Sequence, residues 1–419
     1  MTTFDIAALC LVVTALLAYL NHRFVRLPTA IGVMVIALAL SLALVALDAA
    51  GIASGLREYE ASFVRSVHFS EVLMQGMLSF LLFAGALQVD LSALRRWRWQ
   101  VAALAIGGTL VSTLVVGAAM WLALPLVGLP LPLLHCLVFG ALISPTDPIA
   151  VMGILKSAGA PQELELVIAG ESLFNDGVGV VLFALLVGVL ATGEVPDAAQ
   201  AGMLLLREAG GGLAFGLILG YIAFRLLKSI DHYQVEVLLT LATVMGGYAL
   251  ASHLHVSGPL AMVISGLMIG NRGRAQAMSD HTQRYIDMFW ELLDEILNAV
   301  LFVLIGLEVI LIAFSPALLA GGALAIAVTL LARWLTVAVP ARAGAQALPD
   351  GAAHVLAWGG LRGGISVALA LSLPLGPLRE TLLALTYCVV VFSILVQGLS
   401  IGRVVRAVLP AHGADARTG

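Results

Sequence analysis

Charge is scarce in this chain: only 11% of its 419 residues are Asp, Glu, Lys or Arg, where a soluble globular protein carries about 25%. With 61% hydrophobic residues and a mean hydropathy of +1.05, water is not its solvent. Cysteine is scarcer still. Cys10, Cys136 and Cys388 all fall inside apolar runs, which argues against a disulfide framework and makes the thiols inert packing. No basic stripe points to nucleic acid, and the net charge of −4 carries no message in a chain whose charge distribution informs and whose sum does not. The opening Met1-Thr2-Thr3-Phe4-Asp5 has neither the basic stretch nor the small-residue cleavage site of a secretory signal, so the first apolar run reads as a retained helix. Glycine, by contrast, is plentiful at 43 residues, as suits helices that approach one another closely in lipid.

Hydrocarbon about 30 Å thick is crossed by roughly 20 apolar residues of helix. Polar breaks divide the chain into thirteen segments of about that length, near 4–20, 29–47, 68–90, 100–124, 131–155, 164–191, 201–224, 236–255, 257–270, 285–314, 316–339, 352–374 and 380–408. The expected fold is all-α, a polytopic membrane protein. An odd number of spans sets the termini on opposite sides. With the N-terminus outside, the outer loops receive Arg57, Arg65, Arg207 and Arg379, Arg333 and Arg362 lie within spans, and the other fifteen of the 21 Lys and Arg face the cytoplasm. That asymmetry supports both the count and the orientation. Arg95-Arg96-Trp97-Arg98-Trp99 reads as an interfacial anchor.

Two spans are interrupted. Ser144-Pro145-Thr146-Asp147-Pro148 brackets a carboxylate with prolines inside the fifth span, and each proline removes a backbone donor and collides with the preceding turn. Exposed carbonyls and amides are tolerated at membrane depth only where protein or a polar cavity satisfies them. Gly359-Gly360-Leu361-Arg362-Gly363-Gly364 breaks the twelfth span with glycine and carries a cation. Five and twelve differ by seven, so the two broken helices cross in opposite directions, as inverted repeats of six spans joined by a linker helix require. In such folds paired broken helices mark the ion site, with half-helix dipoles facing one another near the midplane. Two unrelated packing kinks are the alternative.

The sixth span contains Glu171-Ser172-Leu173-Phe174-Asn175-Asp176. Asp176 lies twelve residues from the inner end, roughly 18 Å deep at 1.5 Å per residue, close to the bilayer middle. Ser172 shares its helix face, while Glu171 and Asn175 share another. An ionised carboxylate in low dielectric is disfavoured unless it is paired or holds a cation, so a proton and a sodium ion become alternative neutralisers of one group. If only neutralised states cross easily between inward- and outward-facing forms, obligatory exchange follows. Arg362 is the natural partner of Glu171, and Asp147 offsets half-helix dipoles. The competing structural reading pairs Asp176 with Arg362. Glu308, near the outer interface, reads as solvated; Arg333, near the inner end of its span, reads as snorkelling; His253 and His255 read as hydrogen-bonding interface residues.

Ser144 to Val151 (SPTDPIAV), Glu171 to Val180 (ESLFNDGVGV) and Trp358 to Ala370 (WGGLRGGISVALA) together resemble the NhaP-type sodium/proton antiporters, relatives of the animal sodium/hydrogen exchangers. Leu27-Pro28, Val256 to Asn271 and Phe302 to Glu308 agree, so the resemblance covers nearly the whole membrane portion. It implies a thirteen-helix homodimer with interleaved interface and core domains working by alternating access in a bacterial inner membrane, N-terminus outside. Residues 1–410 form one transporter unit: repeat one at about 1–191, the linker at about 201–224, repeat two at about 236–408, then a short cytoplasmic tail at 411–419. The resemblance makes Asp176 the carrier of Na+ or H+, with Ser172 and the main-chain carbonyl of Thr146 as further ligands of the transported ion. It makes Asn175 the tie between the sixth helix and the unwound fifth, with Asp147 supporting, and Glu171 with Arg362 the stabilising ion pair. Asn175 before Asp176 resembles the electroneutral branch, which implies one cation for one proton, and no cofactor is implied beyond the transported ions. One departure is Phe83-Ala84-Gly85, where relatives often carry an acidic residue at the middle position.

A hard-oxygen site does not announce ion size, so potassium/proton exchange is an alternative on the same fold, and lithium a possible second substrate. An intramembrane aspartyl protease using Asp147 and Asp176 would need paired carboxylates and a Gly-x-Gly-Asp signature, which is absent. A passive channel would call for a repeated filter motif, and none is present.

Overall fold

The computed structural model describes residues 3–49, 76–193, 198–309, 315–338, 348–349 and 351–409. Every regular element among them is a helix, so the fold is all-α. Nine of the described helices are long and apolar enough to cross a membrane. Gln162–Thr192, at 31 residues, exceeds the roughly 20 residues that a bilayer needs. The start of the expected third segment, 68–75, and the tail at 411–419 lie outside the described residues.

Both interruptions are present. The fifth segment is built as Leu133–Ile143 and Ile149–Ala158, with no helix over 144–148. The twelfth is built as Ala352–Gly359 and Gly364–Leu371. Proline supplies the physical cause in one case and glycine in the other.

The chain forms two compact units, each assembled from three stretches of sequence. The first comprises Met1–Leu91, Val180–Ser315 and Val367–Ala384. Its core holds Trp290 against Phe83, ring centroids 4.7 Å apart, and the indole N–H donates to Thr240 Oγ1 at 3.0 Å. Helix Gly211–Leu227 runs almost backbone to backbone past Gly258–Met268: a Cβ on Gly216 would stand 2.7 Å from the Ala261 carbonyl oxygen, and Ser265 Oγ donates to the Gly216 carbonyl at 3.0 Å. Asn271 closes the end of Leu78–Gln88, its amide donating to the Val89 carbonyl at 2.9 Å while its oxygen accepts the Leu91 N–H at 2.8 Å.

Glu308 corrects one expectation. It is buried, 4% exposed, because its helix, Asp280–Glu308, is drawn in where Gly306 lies against the backbone of Met34 and Leu38. Ala84 is buried as well. His253 and His255 are exposed, and His255, at φ 55, terminates Tyr233–Leu254 by donating its N–H to the Ser252 carbonyl at 3.1 Å.

The second unit comprises Ser92–Gly179, Pro316–Ser366 and Leu385–Gly419. Helix Thr109–Ala123 packs closely on Leu133–Ile143, a Cβ on Gly117 being 2.9 Å from Leu137 Cα. Helix Pro316–Ala338 buries a small and polar face that includes Gly322, Ala325, Thr329 and Arg333. Glu171, Ser172, Asn175, Asp176, Thr146, Asp147 and Arg362 all belong to this unit.

Candidate functional site

The two interruptions touch each other. Asp147 donates its backbone N–H to the Leu361 carbonyl at 2.8 Å, and the Arg362 guanidinium donates to the carbonyls of Ser144 and of Pro145, the latter at 3.0 Å. In an unbroken helix the Ser144 carbonyl would face position 148, where Pro148 has no N–H, and the break parts the Pro145 carbonyl from the N–H of Ile149; a cation now satisfies both. Glycine is needed at 363 because a Cβ there would stand 2.7 Å from Asp147 Cβ and overlap its carboxylate. Gly360 is required in the same way, since a Cβ there would lie 2.9 Å from the Arg333 guanidinium carbon.

Helix Gln162–Thr192 passes this junction with Gly179 against the Pro145 ring. Asn175 ties helix and break together: its carbonyl oxygen accepts the Thr146 N–H at 3.3 Å, and its amide donates to Thr146 Oγ1 at 2.8 Å. The Thr146 hydroxyl also lies 2.9 Å from Ser172 Oγ. Ser144 Oγ donates to the Gly140 carbonyl at 2.6 Å and lies 3.3 Å from Thr113 Oγ1, so the polar groups of the break are occupied locally.

Asp176 differs from its neighbours. Its side chain is 8% exposed, yet it makes no hydrogen bond and no ion pair with any described residue. The charged group that acts on it is another carboxylate, Asp147. Ser172, one helical turn earlier, shares its face. Among the described residues there is no cluster of three or more His, Cys, Asp or Glu that could hold a metal ion.

Glu171 binds Arg333, and the expected pairing with Arg362 is not made. Arg333 Nη1 and Nη2 both donate to the Glu171 carboxylate, Nη2 at 2.9 Å, while Nε and Nη2 reach the Leu356 carbonyl at 3.2 and 3.0 Å. Arg333 is therefore buried rather than snorkelling. Depth along the span was a misleading cue; the useful one was the helix face, since Gly322, Ala325 and Thr329 precede Arg333 at helical intervals and form a small-residue face that packs inward.

Comparison with known proteins gives three findings. The family described as "Sodium/hydrogen exchanger, transmembrane" matches residues 12–407. The chain is 53% identical to the Na(+)/H(+) antiporter NhaP of Pseudomonas aeruginosa over 99% of both chains, and 37% identical to the Na(+)/H(+) antiporter NhaH of Halobacillus aidingensis over 91% of this chain and 96% of that one. Its fold is similar to that of the sodium proton antiporter MjNhaP1 from Methanocaldococcus jannaschii, with TM-score 0.73 and 20% identity, over 96% of this chain and 97% of the other.

Proposed function

Because the chain belongs to the sodium/hydrogen exchanger family, we propose that it is a secondary antiporter that exchanges Na+ for H+ across a bacterial plasma membrane, with Asp176 holding either ion in turn. The observation that carries this reading is the contrast at the centre of Gln162–Thr192. Asn175, Glu171, Thr146 and Arg362 are all engaged by neighbours, whereas the buried Asp176 carboxylate is engaged by no described residue. A carboxylate so placed needs a proton or a cation.

Charge balance gives the same answer. Around the two breaks, Asp147, Glu171 and Asp176 carry three negative charges and Arg333 and Arg362 two positive ones, one negative charge too many among these five residues. When Asp176 takes up one H+ or one Na+, the group sums to zero. Only that neutral state passes between the two sides, so each crossing carries one ion and the exchange is electroneutral, one for one. Ser172 and the Thr146 carbonyl complete the sodium ligands, oxygen donors suited to a hard cation. The relatives named above are both named for sodium, which sets potassium aside. The interleaving of the two units along the chain supports an interface domain and a core domain working by alternating access. Thirteen crossings in two inverted repeats, a homodimer, and an external N-terminus complete the proposal.

The test is direct: in proteoliposomes loaded with a pH indicator, an external Na+ pulse must turn the lumen alkaline as sodium enters and protons leave. A protein that moves no protons on a Na+ pulse is not such an exchanger.

A further inference from the structure

The second interruption divides one particular hydrogen bond. In an unbroken helix the N–H of Arg362 would bond the carbonyl of Trp358, four residues earlier. The break at Gly360–Gly363 parts these two groups; Arg362 is buried and Trp358 half-buried, where an unsatisfied backbone group is costly. Each finds a side chain from the last helical stretch of the chain. Ser393 Oγ accepts the Arg362 N–H at 2.9 Å, and Gln397 Nε2 donates to the Trp358 carbonyl at 2.9 Å. Ser393 Oγ in turn donates to Gln397 Oε1 at 2.7 Å. The orientation of the Gln397 amide follows from chemistry, since the Trp358 carbonyl can only accept and the nitrogen must face it. Ser393 and Gln397 are themselves four residues apart and both buried.

We infer that Ser393 and Gln397 are positioning residues of the exchange site: they form a two-side-chain bridge inserted into the parted Trp358–Arg362 hydrogen bond and hold the twelfth span in its broken shape. The inference rests on the exchange function proposed above. Ser393 and Gln397 lie in the π-helical turn Ser393–Gly398, a widened turn of the kind that concentrates at functional sites. Trp358 is held a second time, its indole N–H donating to Ser400 Oγ at 2.8 Å. The consequence reaches the ion. The segment so fixed carries Arg362, which satisfies the Ser144 and Pro145 carbonyls, and Leu361, whose carbonyl accepts the Asp147 N–H. Through these contacts the shape of one break sets the shape of the other, and with it the position of Thr146 beside Ser172.

Two measurements on the full-length protein test this. In proteoliposomes, Gln397→Leu and Ser393→Ala should raise the KM for Na+ at least fivefold with kcat changed less than twofold, and Ser393→Thr, which keeps the hydroxyl, should restore the parent KM. By hydrogen–deuterium exchange in detergent, both disruptive variants should speed amide exchange in a peptide covering 360–364 at least fivefold, with exchange in 316–338 unchanged. A loss of kcat shared equally by Na+ and Li+ with the KM unmoved would mean a merely structural role and overturns the inference. Unchanged exchange over 360–364 overturns it too. If the parent protein itself moves no protons on a Na+ pulse, the proposed function fails, and the amide-exchange measurement, which needs no transport, still decides the bridge.

Discussion

Arg333 gives both terminal nitrogens to the Glu171 carboxylate, so the buried ion pair that fixes Gln162–Thr192 to Pro316–Ala338 leaves the Arg362 guanidinium to donate to the carbonyls of Ser144 and Pro145. Removing one partner of such a pair leaves an uncompensated charge out of water, at about 3–5 kcal/mol. Arg333→Leu and Glu171→Leu should each lower the unfolding midpoint in detergent sharply, whereas the double substitution should recover much of the loss. Equal stability of the single variants and the parent in a denaturation series would contradict the pairing.

Asp176→Asn keeps the shape of the side chain and removes its charge. The amide can neither release a proton nor neutralise Na+, so sodium-driven proton movement should fall to the level of protein-free vesicles. The helix itself is held by Asn175 and Glu171, so the variant should fold and purify as the parent does. Substantial exchange by this variant would remove Asp176 from the carrier role.

In the proposed exchange the two ions compete for Asp176, and this fixes the direction of the pH response. As pH falls, protons occupy Asp176 and more sodium is needed to displace them; as pH rises, the site empties and the demand for sodium falls. The KM for Na+ should therefore rise about tenfold for each pH unit once the site is mostly protonated, and level off on the alkaline side, by the reciprocity of linked binding. Initial rates across a matrix of Na+ and pH measure it. A KM independent of pH would mean separate sites.

Much of this architecture was legible because membrane folding writes itself in composition. Apolar runs, the two interruptions, and the polar cluster Glu171 to Asp176 are all local features, and the helix bounds follow them. Asn175 reaching Thr146 agrees with what the resemblance to the antiporter family implies, whereas helical spacing alone places Asn175 only on the face of Glu171. The partner of Glu171 could not be read from spacing. Two arginines lay within spans, and the choice between Arg333 and Arg362 depends on which helix faces pack, a tertiary fact. The burial of Glu308 is tertiary in the same way: it follows from a close helix approach at Gly306, not from its depth. Ser393 and Gln397 carry no signal in the sequence, because a serine and a glutamine in a long apolar run acquire a role only through the break that they bridge.

Electroneutrality provides the sharpest test of the charge arithmetic. Asn175 is neutral, so in the proposed cycle Asp176 is the carboxylate of this turn that changes its charge, and one ion would leave for each that enters. A cycle that moved one net charge would feel the membrane potential at about 2.3 kcal/mol per 100 mV, roughly fiftyfold in driving force. A cycle that moves none feels nothing. Proteoliposomes clamped with potassium and valinomycin at zero and at 100 mV should therefore give the same initial rate of sodium-driven proton movement, within a factor of about two. A rate that followed the potential would require a second titrating group in the cycle, and Asp147, the carboxylate that already acts on Asp176, would be the group to substitute first.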